Sequence, residues 1–536
     1  MKSKSSPMII QGAILACAGI LTKLIGFAYR IPMANMLGEE GNGIYSVAFG
    51  IYNVALTLSS YSLPLAVSKI ISKRIAKKQY ANSFNAFLSA LAISVIAGIL
   101  SFSFLFFGAD LLENLYNTKG LCLPLKVLAP TTFVVALLGT FRGFFQGHGN
   151  MVPTALSQII EQVINALVSI VATYFSLKIY SDSAHGAQGA TMGTLAGAVF
   201  ALIFIMLLFT SRLSYTKKSF ERGVSHSEKR LEVIKEIIWT MVPIIISQTI
   251  YQISFTIDDL LFSNIMHSNN FSSAAISSLQ GVFNTQYTQL INIPIAVSTA
   301  LAASTLPAIV RLSVKGEKDE RQKKIETVIK ITSAISLPCA VGLSVFALPI
   351  VTLVFPGLVT YRAVAANLLV YGSLGCVFYS ISTITTSILQ GCNRMRIPVV
   401  NAFIAFVIHT ALIYTLLDFT PLGIYARLIA DVTFPLIILV LNILQLKSKF
   451  NLKLSLKKTI VFPLICSGVM GIVSACLYVL LKALTSSMII SFVSSIIVAV
   501  AVYGIALIKL QVFSNEEYLE LPMGRKLMRL SDKINK

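Results

Sequence analysis

The chain holds two cations in its first apolar stretch whose spacing suits the binding of a charged group. Lys23 and Arg30 are seven residues apart, about two helical turns, so both side chains project from one helix face about 10 Å apart. No acidic residue precedes Glu39 on this stretch. Ionisable groups at membrane depth are costly unless they face water or a partner. The pair predicts a site for an anionic group such as a phosphate or diphosphate, unless Arg30 extends to the outer interface and Lys23 pairs with a carboxylate elsewhere.

A second polar face is predicted in the first half of the chain. Four polar residues recur at the three- and four-residue spacing of one helix side, namely Gln158, Glu161, Gln162 and Asn165. That side must face water or another helix. Three roles are open to the carboxylate of Glu161: pairing with Lys23, pairing with Arg142, or uptake and release of a proton, because desolvation favours the neutral carboxyl.

Two adjacent carboxylates are candidates for binding a small cation. Asp258 and Asp259 lie deep within a later apolar stretch. Adjacent side chains on a helix are about 100° apart, so we expect one aspartate to face the lumen and the other a neighbouring helix. Either could bind Na⁺ or a proton. His409 is predicted to be a packed hydrogen-bonding group, and Arg427 with Asp431 an i, i+4 salt bridge.

Motifs for catalysis, metal binding and cofactor binding are absent from the sequence. It contains no HExxH, GxSxG or Walker A pattern and no clustered metal-ligand spacing. The seven cysteines form no CxxC pair and mostly lie in apolar runs, as small buried hydrophobic residues do. We predict a protein that is not an enzyme and that uses no cofactor and no metal site.

The elements that must position these side chains are helices that cross a membrane. Hydrophobic residues make up 55% of the chain and charged residues only 12%. Apolar stretches of about 20 residues recur along its length, each long enough to cross a hydrocarbon core of about 30 Å. We predict an all-α polytopic membrane protein with about fourteen transmembrane helices.

The basic residues predict the orientation of these helices. Most of the 43 Lys and Arg residues fall in alternate connections, whereas the other connections are short and hold the acidic residues Glu39, Glu40, Asp110, Glu113 and Asp182. Lys and Arg are retained on the cytoplasmic side during insertion, so we expect both termini inside. This rule explains the net charge of +21 better than nucleic-acid binding does, and the excess charge also attracts anionic membrane lipids.

Two sequence landmarks recur at nearly the same separation and indicate a duplication. Ser62-Leu63-Pro64 returns as Thr305-Leu306-Pro307, and Gln146-Gly147 returns as Gln390-Gly391. We expect two pseudo-symmetric six-helix lobes in the same orientation, followed by a C-terminal helix pair. The predicted boundaries are 1–220 and 221–450 for the lobes, 451–512 for the pair and 513–536 for a cytoplasmic tail.

Two motifs resemble those of a known family. The first comprises Leu21–Arg30 and Leu37–Tyr45, and the second Arg142–Gly147, Met151 and Ser157–Gln162. They are similar to the MurJ and stage V sporulation protein B branch, which are lipid flippases of the multidrug/oligosaccharidyl-lipid/polysaccharide superfamily. The resemblance implies two six-helix lobes and a terminal pair around a central cavity, in the bacterial cell membrane.

The function implied by the resemblance is movement of an undecaprenyl-diphosphate-linked cell-wall precursor, lipid II first among them, from the inner to the outer leaflet by alternating access. First-helix basic residues contact the diphosphate in that family; Lys23 matches one such position, and Arg30 stands one residue from a second. The substrate-binding residues we expect are Lys23, Arg30, Arg142, Gln158, Glu161 and Gln162. The residues expected to couple H⁺ or Na⁺ are Asp258, Asp259 and Glu161.

Two other functions stay open at this point. One is a flippase for another lipid-linked polysaccharide unit, and the other is a multidrug or cation antiporter on the same fold. Lys23 and Arg30 argue against cationic substrates, whereas Asp258 and Asp259 leave them open. Expected partners are the undecaprenyl-linked glycan lipid, membrane lipids and enzymes of cell-wall synthesis, with no nucleic acid.

Overall fold

The computed structural model of the protein is built from helices. It describes residues 7–220, 228–392, 394–450, 452 and 454–514, together with 517, 518, 524, 528, 529 and 533, and within these ranges no strand is present. The first nine helices are α1 (Pro7–Ser59), α2 (Leu63–Ala76), α3 (Tyr80–Phe107), α4 (Ala109–Leu115), α5 (Cys122–Gly147), α6 (Val152–Tyr180), α7 (Ser183–Phe220), α8 (Arg230–Ser268) and α9 (Ser273–Gly281).

The remaining helices follow a wider π-helical turn at Val282–Tyr287. They are α10 (Thr288–Lys315), α11 (Lys318–Val345), α12 (Ala347–Val354), α13 (Arg362–Gly372), α14 (Leu374–Gly391), α15 (Arg396–Phe419), α16 (Ile424–Phe450), α17 (Phe462–Thr485) and α18 (Met488–Lys509). A second π-helical turn, Lys457–Val461, leads into α17.

Among the described residues, eleven helices are long and apolar enough to cross a membrane, or twelve if the bent pair α13 and α14 forms one span. This confirms the all-α polytopic class, while the count of about fourteen stays a prediction. One counted span runs over 60 residues from Cys17 to Ala76, which as a straight helix would extend about 90 Å. The backbone of Gly38 leaves the helical region at φ 67°, and a turn at residues 60–62 separates α1 from α2, so this stretch consists of three helical segments.

The break at Gly38 is bridged by a buried side chain. Asn42 is fully buried, and its side-chain amide donates to the carbonyl oxygen of Ala34 over 2.7 Å. The left-handed φ of residue 38 favours glycine, which has no Cβ to clash. Both residues therefore have a structural role. Gly38 allows α1 to turn, and Asn42 hydrogen-bonds a carbonyl oxygen that the turn leaves without its helical partner.

The chain divides into two compact units, Met1–Thr285 and Gln286–Lys536. The first unit holds α1 to α9 and the second holds α10 to α18. The lobe boundaries at 1–220, 221–450 and 451–512 stay predictions. Pro153 and Pro398 lie in the first turns of α6 and α15, where a missing backbone donor costs little.

The core of the first unit is aromatic where α3, α5 and α7 meet. The ring of Phe87 lies 5.4 Å from that of Phe141, 4.9 Å from that of Phe144 and 5.1 Å from that of Phe209, measured between centroids. Phe141 and Phe144 are both buried. Because these two side chains of α5 face α3 and α7, Arg142 between them is directed to another side of α5.

A glycine stripe on α5 brings that helix close to α2. Gly139, Gly143 and Gly147 recur every four residues and so lie on one face. A Cβ at Gly143 would lie 2.7 Å from Cβ of Val67, and one at Gly147 would lie 2.7 Å from Cβ of Ile71. Small residues at this spacing let helix backbones approach closely inside a membrane. The close contact with α2 therefore fixes the position of α5, the helix that carries Arg142.

A second glycine stripe brings α7 close to α6. Gly189, Gly193 and Gly197 also recur every four residues. A Cβ at Gly189 would lie 2.7 Å from the carbonyl oxygen of Ala172, and one at Gly193 would lie 2.5 Å from that of Asn165. A Cβ at Gly197 would lie 3.2 Å from Cβ of Asn165, so the stripe fixes α7 along the side of α6 that carries Asn165.

The second segment of α1 crosses α9 at backbone contact distance. A Cβ added at Gly43 would overlap the backbone of Ser277, including its carbonyl oxygen, and one at Gly281 would lie 2.6 Å from the amide nitrogen of Gly43. No side chain fits at this crossing. The two glycines therefore set the position of α9 on α1.

We expect Gly43→Ala to destabilise the first unit by about 3 kcal/mol, because backbone must move to admit the methyl group and overpacking of this kind costs about 1–3 kcal/mol or more. Thermal unfolding of purified protein and its level in the membrane measure the effect. The matched control is Gly504→Ala in α18, where an added Cβ meets nothing within 4 Å. Equal stability of the two variants would contradict the prediction.

A buried ion network joins the end of α2 to the start of α8. Arg74 is 4% exposed, and its Nη2 lies 2.7 Å from Glu228 Oε2 and 2.9 Å from Glu236 Oε2. Lys73 contacts the other oxygen of Glu236 at 2.7 Å. In the sequence, Arg74 is one of the basic residues used to assign the cytoplasmic connections. In the structure, it also pairs with two carboxylates of the first unit.

The chain after α18 docks on the second unit. Val512 is fully buried, and Phe513 and Tyr518 are 6% and 3% exposed against the cluster that contains Ile331. Lys330 Nζ of α11 lies 2.8 Å from Glu517 Oε1, with side chains only 6% and 15% exposed. The cytoplasmic tail predicted for 513–536 lies mostly outside the described residues, but this anchor lies within them.

We expect Glu517→Gln to release this anchor, because removing one partner of a buried pair leaves the other charge uncompensated at a cost of about 3–5 kcal/mol. Burial opposes the charged form of Glu517, but hydrogen bonds from Lys330 and Ser514 outweigh it and lower the pKa of this carboxyl. The stabilisation is therefore fully present above the ordinary Glu pKa of about 4.3 and is lost as pH falls through the lowered value.

Limited proteolysis of the C-terminal segment measures this anchor. Faster cleavage is expected in Glu517→Gln at neutral pH and in the unsubstituted protein under strongly acidic conditions. The exposed Glu320 provides the control variant Glu320→Gln, which should be cleaved at the unsubstituted rate. A cleavage rate unaffected by Glu517→Gln would mean that the apolar contacts alone hold the segment.

Candidate functional site

The predicted polar face of α6 packs against the first segment of α1. At the point of closest approach, a Cβ added to Gly26 would lie 3.1 Å from Nε2 of Gln162. Gly26 comes three residues after Lys23 and four before Arg30, so all three positions share one face of α1. The structure brings the two predicted cations to the side of α1 that meets Gln162.

Two further side chains of α6 lie along this contact. The side-chain nitrogen of Asn165 donates to the hydroxyl of Tyr29 over 3.4 Å, and Tyr29 is buried. Gln158 is half-buried, and its carbonyl oxygen Oε1 has no hydrogen-bond partner among the described residues. A buried amide oxygen without a donor is costly, so Gln158 has spare capacity to accept a hydrogen bond from a ligand.

Glu161 of α6 pairs with Arg142 of α5. Nη2 of Arg142 lies 2.7 Å from Oε2 of Glu161, and the side chains are 12% and 28% exposed. Nε of Arg142 donates to the hydroxyl of Ser157 over 2.9 Å, and that hydroxyl donates to the backbone oxygen of Thr154. Of the roles that the sequence leaves open to Glu161, the structure shows the pairing with Arg142.

Lys23 and Arg30 carry the unbalanced charge of this site. Both side chains are exposed, and in the part of the chain that the structure describes neither pairs with a carboxylate. Arg142 is balanced by Glu161 at 2.7 Å. The three cations and one carboxylate leave a net positive charge, and the amides of Gln158 and Gln162 lie on the facing helix. The arrangement can bind an anion and hydrogen-bond polar groups attached to it.

Asp258 and Asp259 of α8 are both buried, at 2% and 4% exposed. Asn284 donates to Oδ1 of Asp259 over 3.0 Å, and Gln280 donates to its backbone oxygen over 2.9 Å. Both are buried because α8 packs between neighbouring helices at this level, and the division into one lumenal and one helix-facing aspartate stays a prediction. Gly50 of α1 is one such neighbour, since a Cβ there would lie 3.8 Å from Oδ2 of Asp259.

The second unit contains a separate buried polar cluster. The hydroxyl of Tyr379 donates to Oδ1 of Asp431 over 3.1 Å, and that of Tyr287 contacts Oδ2 at 3.4 Å. Arg427 is 1% exposed, and its salt bridge with Asp431 stays a prediction. Nδ1 of His409 contacts the backbone oxygen of Ala430 at 2.9 Å, which suits the predicted packed, hydrogen-bonding role.

Sequence reasoning missed several contacts that shape these clusters. The tyrosines beside Asp431 gave no signal, because their distance from it along the chain is large. The two glycine stripes did carry a signal in their four-residue spacing. Among the described residues, no group of three or more His, Cys, Asp and Glu could hold a metal ion.

Comparison with known families gives two matches. The family described as "Polysaccharide biosynthesis protein" matches residues 11–313, and the family described as "MatE" matches residues 243–415. The first match covers more than half of the chain and includes Lys23, Arg30, Arg142 and Glu161.

Two relatives come from Bacillus subtilis (strain 168). The chain is 24% identical over 482 residues to "Lipid II flippase MurJ", covering 87% of this chain and 88% of the relative. It is 24% identical over 536 residues to "Stage V sporulation protein B", covering 96% and 98%. These similarities confirm the resemblance to that branch.

Solved structures share the fold. A multidrug resistance MATE family transporter of the MOP superfamily in an inward-facing conformation matches with a TM-score of 0.68 at 18% identity, over 82% of this chain and 96% of that one. Lipid II flippase MurJ in an inward closed conformation matches with a TM-score of 0.67 at 16% identity, over 92% and 98%. The polytopic helical architecture is thus that of MOP transporters, and these relatives are transporters rather than enzymes.

Proposed function

The chain belongs to the polysaccharide biosynthesis protein family, and from that premise we propose that it is a flippase for an undecaprenyl-diphosphate-linked cell-wall precursor. Lipid II is the first candidate, moved from the inner to the outer leaflet by alternating access. The observation that carries this proposal is the exposed pair Lys23 and Arg30 beside the polar face of α6.

The charge of the site supports a diphosphate. Lys23 and Arg30 pair with no carboxylate in the described part of the chain, so their charge is available to a ligand. A cation facing lipid would be costly, whereas one facing a polar cavity can form charge-assisted hydrogen bonds to phosphate oxygens. In this proposal the two residues bind the diphosphate, and Gln158 and Gln162 hydrogen-bond the groups attached to it.

Arg142 and Glu161 have a supporting part in the proposed site. Glu161 holds the guanidinium of Arg142 at 2.7 Å and so positions a third cation beside α6. A change in the protonation of Glu161 would free that cation, which links the site to H⁺. Asp258 and Asp259 are the other candidates for H⁺ or Na⁺ coupling. Enzymes that make or polymerise the precursor are its proposed partners.

Rescue of a bacterium depleted of its own lipid II flippase tests the function. Growth restored by this protein would support lipid II flipping. Absence of rescue with the protein present in the membrane would reject lipid II as the substrate. Transport of labelled precursors into proteoliposomes then separates lipid II from other undecaprenyl-linked glycans, and the drug resistance of producing cells tests the antiporter.

A second lipid-linked glycan is the alternative substrate. The observation that favours it is similarity to stage V sporulation protein B over 96% of this chain, at the same identity as the similarity to MurJ. The diphosphate site would be unchanged, and the difference would lie in the groups that contact the glycan.

Orientation in the bacterial cytoplasmic membrane is proposed from the basic connections, with both termini inside. We expect Ile75→Cys at the end of α2, in a background without native cysteines, to resist an impermeant thiol reagent in intact cells. Lys119→Cys, on the opposite side by the charge rule, should react. Labelling of residue 75 in intact cells would reverse the assigned topology.

A further inference from the structure

The first unit contains a small cavity away from the cationic site. Its volume is about 210 Å³, and it is lined by Glu40, Lys119, Ser272, Ser273, Ala274 and Ser277. Glu40 lies just after the Gly38 break of α1, Lys119 lies between α4 and α5, and the other residues begin α9. These positions belong to the ends of the helices opposite the basic connections, so the charge rule places the cavity on the outer side.

Ser277 supplies a hydroxyl without a protein partner. It is 2% exposed, lines the cavity, and forms no hydrogen bond among the described residues. Its backbone is held by the crossing of α1 and α9, where a Cβ at Gly43 would overlap it. A hydroxyl on a rigidly held backbone that faces an open cavity can exchange a water molecule for a hydrogen bond to a ligand.

The other walls of the cavity carry one charge of each sign. The carboxylate of Glu40 accepts a hydrogen bond from Ser183 over 2.9 Å through one of its two oxygens. Lys119 pairs with no carboxylate in the described ranges. Its turn is held in place by Gly120, which has a φ of 80° and against which Ala184 packs. The cavity thus offers an acceptor held by Ser183 and a donor from the exposed Lys119.

The start of α9 adds backbone donors. Ser272 caps the helix by accepting from the amide of Ala275 over 3.3 Å. The amides of Ser273 and Ala274 precede the first intrahelical hydrogen bond, as the first amides of any helix do. Donors therefore come from Lys119 and α9, an acceptor from Glu40, and groups of both kinds from the serine hydroxyls.

We propose that this cavity binds one sugar ring. A neutral ring with several hydroxyls can donate to Glu40 and accept from Lys119 and α9, whereas a phosphate would be repelled by Glu40 and a lone cation by Lys119. The volume of about 210 Å³ lies below the roughly 300–1,000 Å³ typical of drug-sized ligands, so it suits a single ring. The inference rests on the proposed function only for the source of the ring, the glycan of a lipid-linked precursor.

Protection of a thiol in the cavity tests the proposal without requiring transport. Ser277→Cys is introduced into the full-length protein without native cysteines, and its rate of alkylation is measured. We expect N-acetylglucosamine to slow the reaction about tenfold when its concentration is about ten times its Kd. Inorganic phosphate, glycine and a non-sugar osmolyte should have no effect. Failure of Ser277→Cys to react at all would mean that no ligand can enter, and would overturn the proposal.

Matched variants separate binding from indirect effects. Ser278→Cys, one residue further along α9, should show no protection by the sugar. Lys119→Ala combined with Ser277→Cys should lose the protection, whereas Lys126→Ala, which removes a lysine from α5 outside the cavity, should keep it. Protection by phosphate or glycine instead of N-acetylglucosamine would overturn the assignment to a sugar.

A second protection experiment identifies the molecule that supplies the sugar ring. An undecaprenyl-diphosphate-linked saccharide that protects at lower concentration than free N-acetylglucosamine would support the lipid-linked glycan, and protection by the free sugar alone would overturn that source. Rescue of the flippase-depleted bacterium without any protection would overturn the cavity and leave the proposed function intact. Protection without rescue or transport would support the sugar site while rejecting the flippase function.

Discussion

Alanine at Lys23 or at Arg30 will abolish transport of the lipid-linked precursor while leaving the protein at normal levels in the membrane. Each side chain is expected to hydrogen-bond the diphosphate, and bonds to charged groups contribute about 1.5–3 kcal/mol. Since about 1.4 kcal/mol changes an equilibrium tenfold, each substitution should reduce substrate affinity about 10- to 100-fold. The fold should persist, because both side chains are exposed and neither supports a described ion pair.

Rescue of the flippase-depleted bacterium and transport in proteoliposomes measure this effect. Lys178→Ala is the matched control, because Lys178 is an exposed cation near the end of α6 and its loss should leave both readouts unchanged. Arg30→Lys keeps the charge but loses the planar, bidentate geometry of the guanidinium, so partial activity is expected. Full activity in Lys23→Ala and Arg30→Ala would remove these cations from the binding site.

Glu161→Gln will reduce both transport and stability, because it leaves the guanidinium of Arg142 without its carboxylate partner. Breaking a buried pair costs about 3–5 kcal/mol. Because Glu161 is 28% exposed, we expect a smaller loss of about 2 kcal/mol. An unpaired Arg142 would also leave its position beside α6, which should lower transport at least about tenfold by the same conversion.

A double-mutant cycle tests the coupling of the two residues. Thermal unfolding and transport are measured for Glu161→Gln, Arg142→Gln and the double variant, with Ser157→Ala as a control that removes only a neutral hydrogen bond. We expect the double variant to be more stable than either single charge variant, because no lone charge remains. If Glu161→Gln changes neither readout, Glu161 is a packing residue.

The membrane class and the main polar faces could be predicted from the sequence because local residue types determine them. A helix crosses a membrane when about 20 consecutive residues are apolar, whatever lies around it. The spacing of Lys23 and Arg30, and that of Gln158, Glu161 and Gln162, places each set on one face through the helical repeat alone. Pro153 likewise marks the start of α6 by its own chemistry.

The partners of these faces were decided by tertiary structure. Glu161 had two candidate cations, and the glycine stripes of α5 and α7 determine which one it meets, because they set the distance and rotation of α5 and α6. The burial of both Asp258 and Asp259 has the same origin, since helices pack on α8 from more than one side. An aspartate's exposure depends on those neighbours rather than on its position along the helix.

Contacts between residues far apart along the chain show most clearly what could not be predicted from local sequence. Lys330 and Glu517 meet at 2.8 Å although 187 residues separate them, and the cavity of Ser277 exists because Gly43 lets α9 touch α1. Membrane crossing and the sharing of a helix face depend on residues within a few turns, so both could be predicted from the amino-acid sequence. Which faces meet depends on the close packing of helices that are distant along the chain, so the contacts became known from the three-dimensional structure.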